Sequence, residues 1–196
     1  MTSVDELKSK SVSGIRAIGM ANILIKGIGF LGGVLLARWL MPEDFGIFAI
    51  VGFVLGFFKV FGDFGFGVSI IQNQDEADQD TLSSIFYFQQ TLVVLLILIL
   101  IVSLPWIREI YPAFKADYQS LVYVLAFVFL IESMKSVPKA LLSRQIDFKV
   151  ISRIEVVENL TYWLVALTAA YLKMGVWALA LAVLIRTIIG TVLFYS

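Results

Sequence analysis

Thr91-Leu-Val-Val-Leu-Leu-Ile-Leu-Ile-Leu-Ile-Val102 decides the fold. After Thr91 it contains no polar side chain. A soluble helix keeps a polar face, and a strand of a membrane barrel alternates polar with apolar. This run does neither. It lies inside Leu82–Trp106, which carries no charge at all and exceeds the roughly 20 residues that cross a bilayer as a helix. Such an all-round apolar helix is expected to face lipid rather than a cavity.

Five more apolar stretches follow the same rule. They are Ala17–Leu40, Phe45–Ile71, Tyr118–Leu142, Glu155–Leu172 and Val176–Tyr195. The expected fold is therefore all-α: an integral membrane bundle of six transmembrane helices forming a single unit over 1–196. The connections are short. Pro42 in Met41-Pro-Glu-Asp44 sits where a helix can begin. Gly175 in Leu172-Lys-Met-Gly175 is expected to end the fifth helix. Asn73–Thr81 is acidic and Ser143–Ile154 is basic. Met1–Arg16 is polar and mixed in charge. It reads as no cleavable signal, but as either a short surface helix or a frayed terminus.

The composition agrees. Hydrophobic residues make up 60% and charged residues 15%, against roughly 45–50% and 25% in soluble domains. Net charge is +0, so no nucleic-acid partner is expected. There is no cysteine and no histidine, which removes disulfides, thiol nucleophiles, imidazole bases and the usual zinc ligands. No cofactor and no metal is expected, and the chain is not expected to be an enzyme.

Orientation follows from lysine and arginine near helix ends. With the N-terminus inside, Lys8, Lys10, Arg16, Lys139, Arg144, Lys149 and Arg153 lie on the cytoplasmic side, and Arg38, Arg108, Lys115 and Lys173 outside. Trp39, Trp106, Tyr111, Tyr118, Tyr171 and Trp177 all fall at the outer ends as interfacial anchors. Both termini are expected to be cytoplasmic, in a multi-pass protein of the bacterial inner membrane.

Four stretches carry a resemblance. They are Leu36-Ala-Arg-Trp-Leu-Met-Pro-Glu-Asp-Phe-Gly46; Phe61-Gly-Asp-Phe-Gly-Phe-Gly67, running into Ile70-Ile-Gln72; Ser136-Val-Pro-Lys-Ala-Leu-Leu-Ser-Arg144, followed by Asp147-Phe-Lys149; and Gly175-Val-Trp-Ala-Leu179. In this order the chain resembles bacterial polysaccharide exporters of the Wzx type. These belong to the superfamily that includes multidrug antiporters and the lipid II flippase. In the first stretch Met41 stands where the family usually has glycine. The resemblance implies two six-helix lobes around a central cavity, of which this chain supplies the first. It also implies flipping of a lipid-diphosphate-linked oligosaccharide, an O-antigen, capsule or exopolysaccharide repeat unit. The partners it implies are that substrate, membrane lipid and a second six-helix lobe. The chain is accordingly expected to be a truncated product, a split half or a fragment.

Charges inside spans are costly and mark cavities or partners. In the first span Gly19, Asn22, Lys26, Gly29 and Gly33 share one helix face. They form either a cavity lining around Lys26 or a close-packing seam of glycines. Lys59 and Asp63 are spaced to pair within the second span, and Asp63 is also a candidate for ion coupling. In the fourth span Glu132, Lys135, Ser136, Lys139 and Ser143 share a face. Glu132 can neutralise Lys135, Pro138 should bend the helix, and Glu132 is a second coupling candidate. Glu155 and Glu158 are expected near the inner end of the fifth helix, paired with bases such as Arg153. Arg186 lies mid-span with Thr187 and Thr191 nearby, and it cannot shed its charge. Lys26, Arg186 and Asn22 are the candidate substrate-binding residues, since the acids are expected to be occupied elsewhere. A drug or cation antiporter lobe is the alternative transporter. A membrane-embedded sugar polymerase or transferase would need a catalytic constellation that the sequence does not offer. A non-transporting membrane fragment is the remaining class.

Overall fold

A computed structural model describes residues 4–63, 79–110, 119–145 and 147–196. Every regular element among them is a helix: α1 Val4–Trp39, α2 Pro42–Asp63, α3 Gln79–Ile110, α4 Gln119–Met134, α5 Ser136–Arg144, α6 Phe148–Tyr171 and α7 Trp177–Tyr195. Four helical segments among the described residues are long and apolar enough to cross a membrane: Gly19–Trp39, Leu82–Trp106, Gln119–Arg144 and Trp177–Tyr195. The expected span 45–71 runs past the described part of α2. The helix holding the expected span 155–172 carries Lys149, Arg153, Glu155 and Glu158 in its first half, which lowers its apolarity.

Helix boundaries differ from expectation in informative ways. The polar segment from Val4 is neither frayed nor a separate surface helix, because α1 runs unbroken from it to Trp39. The fourth span is two helices. α4 stops at Met134 and α5 starts at Ser136, around a turn at Lys135 whose N–H bonds Glu132 O at 3.1 Å. Pro138 is the cause. It has no N–H to give Met134 O, the carbonyl four residues back. The bend at Pro138 is thus as the sequence suggested.

The end of α6 is also different. Leu172 is its C-cap, and the left-handed residue that closes it is Lys173, at φ 60°, two positions before Gly175. Lys173 N–H bonds Ala170 O at 2.9 Å and Met174 N–H bonds Ala169 O at 3.1 Å, the crossed pair of bonds that closes many helices. Gly175, at φ 56°, instead turns the chain into α7 and lies against the Asp44 carboxylate. Asp44 in turn accepts from Met41 N–H at 3.0 Å and so fixes the start of α2.

The helices run up and down. α6 and α7 form a tight hairpin, α1 packs along α6, and α7 packs on α4, which also meets α2 and α3. One apolar cluster joins Val51, Leu100, Leu104, Leu121, Leu125, Val176 and Ala180 across α2, α3, α4 and α7. A second joins Leu36 of α1 and Leu40 just past its end to Ala166, Ala169 and Ala170 of α6 and Ala178 and Leu179 of α7. A small third cluster, Ile151, Ile154 and Phe194, closes the opposite end. Trp39 and Tyr171 meet edge to face at 5.8 Å. Together with Leu104, Leu121 and Val176, this puts the ends bearing Trp39, Trp106, Tyr171 and Trp177 on one side of the bundle, as the anchor pattern expected. Tyr111 and Tyr118 lie outside the described residues.

α3 does not face lipid all round. Val93, Leu100 and Leu104 are buried on its packed face, while Leu95, Leu98 and Val102 are exposed. α1 packs by a narrow line. The Trp163 ring of α6 sits where a side chain at Gly32 would be, and it touches the position of one at Gly29. The contact line shares Gly29 with the sequence stripe but is centred on Gly32, since added Cβ atoms at Gly19 and Gly33 would meet nothing.

Candidate functional site

The buried polar side chains converge where α4 breaks. Lys135 Nζ lies 2.7 Å from Glu132 Oε2 and 2.7 Å from Glu158 Oε1. The within-helix pair was legible from the three-residue spacing. Glu158, by contrast, is not held by Arg153 but by Lys135, from a helix 23 positions away. Glu155 likewise pairs with Lys139, at 2.8 Å. The Lys135 side chain is only 6% exposed and that of Glu158 10%. A buried ion pair is tolerable only with further polar partners. Thr187 Oγ1 donates to Glu132 Oε2 at 3.3 Å. Gly190 leaves the space that Glu158 Oε1 fills, since a Cβ there would overlap it.

The break itself is covered by hydroxyls. Tyr195 OH donates to Met134 O at 2.8 Å, the carbonyl that Pro138 cannot serve. One turn earlier on the same face of α7, the Thr191 hydroxyl donates to Thr187 O at 2.8 Å within its own helix and lies 3.4 Å from Ile131 O. Ser136 Oγ donates to Gln89 Oε1, and Gln90 Nε2 donates to Ser133 Oγ at 3.1 Å, tying α3 to both sides of the break. Gln89, 2% exposed, was not singled out from sequence. An uncharged amide beside an apolar run carries no distinctive signal.

The other sequence candidates fall around this network. Arg186 is half-buried, with its guanidinium carbon 5.9 Å from the centre of the Tyr162 ring. Its Nε is buried without a hydrogen-bond partner, as are Asn159 Oδ1 and Trp163 Nε1. Lys26 and Asn22 are exposed on α1. Among the described residues no carboxylate is ion-paired with Lys26 or Arg186. Depth can be read from contacts. Gly32 lies against Trp163 and Trp39 against Tyr171, so Lys26 is level with Glu158. Arg186 is level with Tyr162, about 6 Å further along at 1.5 Å per residue. Glu158 therefore lies at the depth of Lys26 and one turn from that of Arg186, not at the inner end of its helix, because α6 starts at Phe148, well before Glu155. Asp63 belongs to the last turn of α2, and its side chain, like that of Lys59, lies outside the described residues, as does most of the acidic connection 73–81. No cluster of three metal-ligating side chains occurs among the described residues.

The sequence profile of a family described as "Polysaccharide biosynthesis protein" matches residues 35–196. The chain belongs to this family. It is 28% identical over 188 residues to an "Uncharacterized membrane protein in cps region" of Klebsiella pneumoniae, covering 93% of this chain and 38% of that protein. It is 33% identical over 103 residues to the "Teichuronic acid biosynthesis protein TuaB" of Bacillus subtilis, covering 53% and 21%. It is 22% identical over 192 residues to the "Lipopolysaccharide biosynthesis protein WzxC" of Escherichia coli, covering 96% and 38%. The chain thus spans about two fifths of the length of the relatives it matches almost end to end. No solved structure matches significantly. The family resemblance read from four stretches is borne out, and the chain is a multi-pass membrane protein of the polysaccharide biosynthesis family. Two of those stretches meet in space, since Asp44 of the first lies against Gly175 of the fourth.

Proposed function

We propose that this polysaccharide biosynthesis family member crosses the inner membrane six times and forms one lobe of a two-lobe flippase for lipid-diphosphate-linked oligosaccharide. The supporting observation is the pair of mid-depth cations, Lys26 and Arg186, with no ion-paired carboxylate among the described residues. An unpaired charge at that depth costs at least ~2.5 kcal/mol on insertion scales. A substrate diphosphate would offset this cost when the second lobe closes the path. Asn22, one turn from Lys26, would add a polar contact. Glu132 and Glu158 are both engaged by Lys135, which leaves them less suited to attract a cationic drug.

The test compares Lys26→Ala with Lys26→Arg, and Arg186→Ala with Arg186→Lys, in a full-length two-lobe context. Surface glycan should fall at least about tenfold in the alanine forms at normal protein levels, and be partly retained in the charge-preserving forms. Normal export by the alanine forms, or their failure to accumulate, would make these cations structural. The topology is tested separately. A cysteine at Glu43 should react with an impermeant reagent in intact cells while one at Gln79 stays protected, and the reverse pattern would invert the lobe.

A further inference from the structure

We infer that the outward face of α6 holds an anionic phospholipid of the inner leaflet, with its phosphate between Lys149 and Arg153. The inference rests on the membrane-spanning reading of α6 and not on the transport reading. Lys149, Arg153, Val157, Leu160, Leu164 and Thr168 are all exposed and recur at three- and four-residue steps, so they form one stripe along the helix. The two cations stand one turn apart at the end expected in the cytoplasm, and everything beyond them on the stripe is uncharged. Neither cation has an ion-pair partner among the described residues, unlike Lys139 on the neighbouring helix, which is taken by Glu155. The only acids on α6, Glu155 and Glu158, point to other faces and are both paired.

The lengths also match. From Arg153 to Leu164 the helix rises about 16 Å, close to one leaflet of a hydrocarbon core roughly 30 Å thick. Beyond Leu164 a shallow apolar groove of about 270 Å³ opens, lined by Leu164, Val165, Thr168, Ala169 and Leu172. A phosphate at the cations would therefore place the acyl tails along Val157, Leu160 and Leu164, with their ends at the mouth of the groove. A zwitterionic lipid fits the same apolar stripe but brings its own cation to a site that already has two.

The experiment is a lipid titration of the purified 196-residue chain in detergent, followed by native mass spectrometry. Dioleoyl phosphatidylglycerol should bind its first site on the order of tenfold more tightly than dioleoyl phosphatidylcholine, the effect expected from one or two lysine or arginine contacts at a lipid surface. The double variant Lys149→Gln, Arg153→Gln should bring the two lipids to equal affinity, with helical content by circular dichroism unchanged because both side chains are exposed. Lys173→Gln, at the opposite end, should leave the preference intact. Equal binding of the two lipids by the parent chain, or loss of preference in Lys173→Gln, would overturn the site. So would competition by inorganic phosphate, which would reduce it to an anion contact, or tighter binding of undecaprenyl phosphate at the same cations, which would assign it to a carrier lipid. Failure here, with Glu43 labelled from outside, leaves the six-span reading standing.

Discussion

Lys135→Met should collapse the yield of folded protein. The side chain of Lys135 is 6% exposed and serves two carboxylates at once. Removing one partner of a buried ion pair costs about 3–5 kcal/mol, because the other charge remains in a medium that cannot solvate it. Here two acids lose their cation together. Domains are stable by only about 5–15 kcal/mol, so the loss takes a large share. The measurement is the monodisperse peak on size exclusion in detergent, with the melting temperature of whatever survives. The diagnostic is rescue. Adding Glu158→Gln to Lys135→Met should recover much of the loss, since the amide no longer needs a cation. Glu132→Gln should recover less, because Glu132 is 26% exposed and keeps a bond from Thr187. A Lys135→Met protein as stable as its parent would show that water reaches the network.

Gly32→Leu should loosen α1 from the bundle. α1 packs chiefly along α6, and the Trp163 ring occupies the space over Gly32. A ring has no flexible end to move aside, and its neighbours Leu36, Ala166 and Ala170 are buried. Inserting a side chain into such packing costs typically about 1–3 kcal/mol, a fall of roughly 2–12 °C in melting temperature for a chain of this size. Trp163→Ala alone should also destabilise, by opening a cavity. The two changes combined should be less harmful than their sum by about 1 kcal/mol or more, as expected for residues in direct contact. Gly33→Leu serves as the comparison, because nothing lies within 4 Å of its added Cβ. Equal losses at both positions would detach the effect from Trp163.

What was legible in the sequence follows from how local each cause is. The apolar runs, the start of α2 at Pro42, the bend at Pro138 and the Glu132–Lys135 pair are all set within one or two helix turns. The partner of Glu158 is not, because it is chosen by which helices pack and at what height. The stripe through Gly19, Lys26 and Gly33 was a true helical face, yet α1 docks through Gly32 and Leu36 nearly a quarter turn away. Periodicity says which residues align, not which line meets a neighbour. The closure of α6 at Lys173 misled for a related reason. A left-handed residue is expected to be glycine, and Gly175 is in fact left-handed, but it serves the turn into α7.

The hydroxyl of Tyr195 gives the broken fourth span a mechanical property. A continuous helix resists bending because each angle change strains its own ladder of bonds. At Met134 the carbonyl's partner belongs to α7, so the joint between α4 and α5 is held by a bond mounted on another helix. α5 is nine residues long, an arm of about 13 Å. A tilt of roughly 10° at the joint would carry its far end, with Arg144, about 2 Å sideways. Any axial slide of α7 would therefore load the joint directly, because Tyr195 holds the carbonyl at which the span is broken.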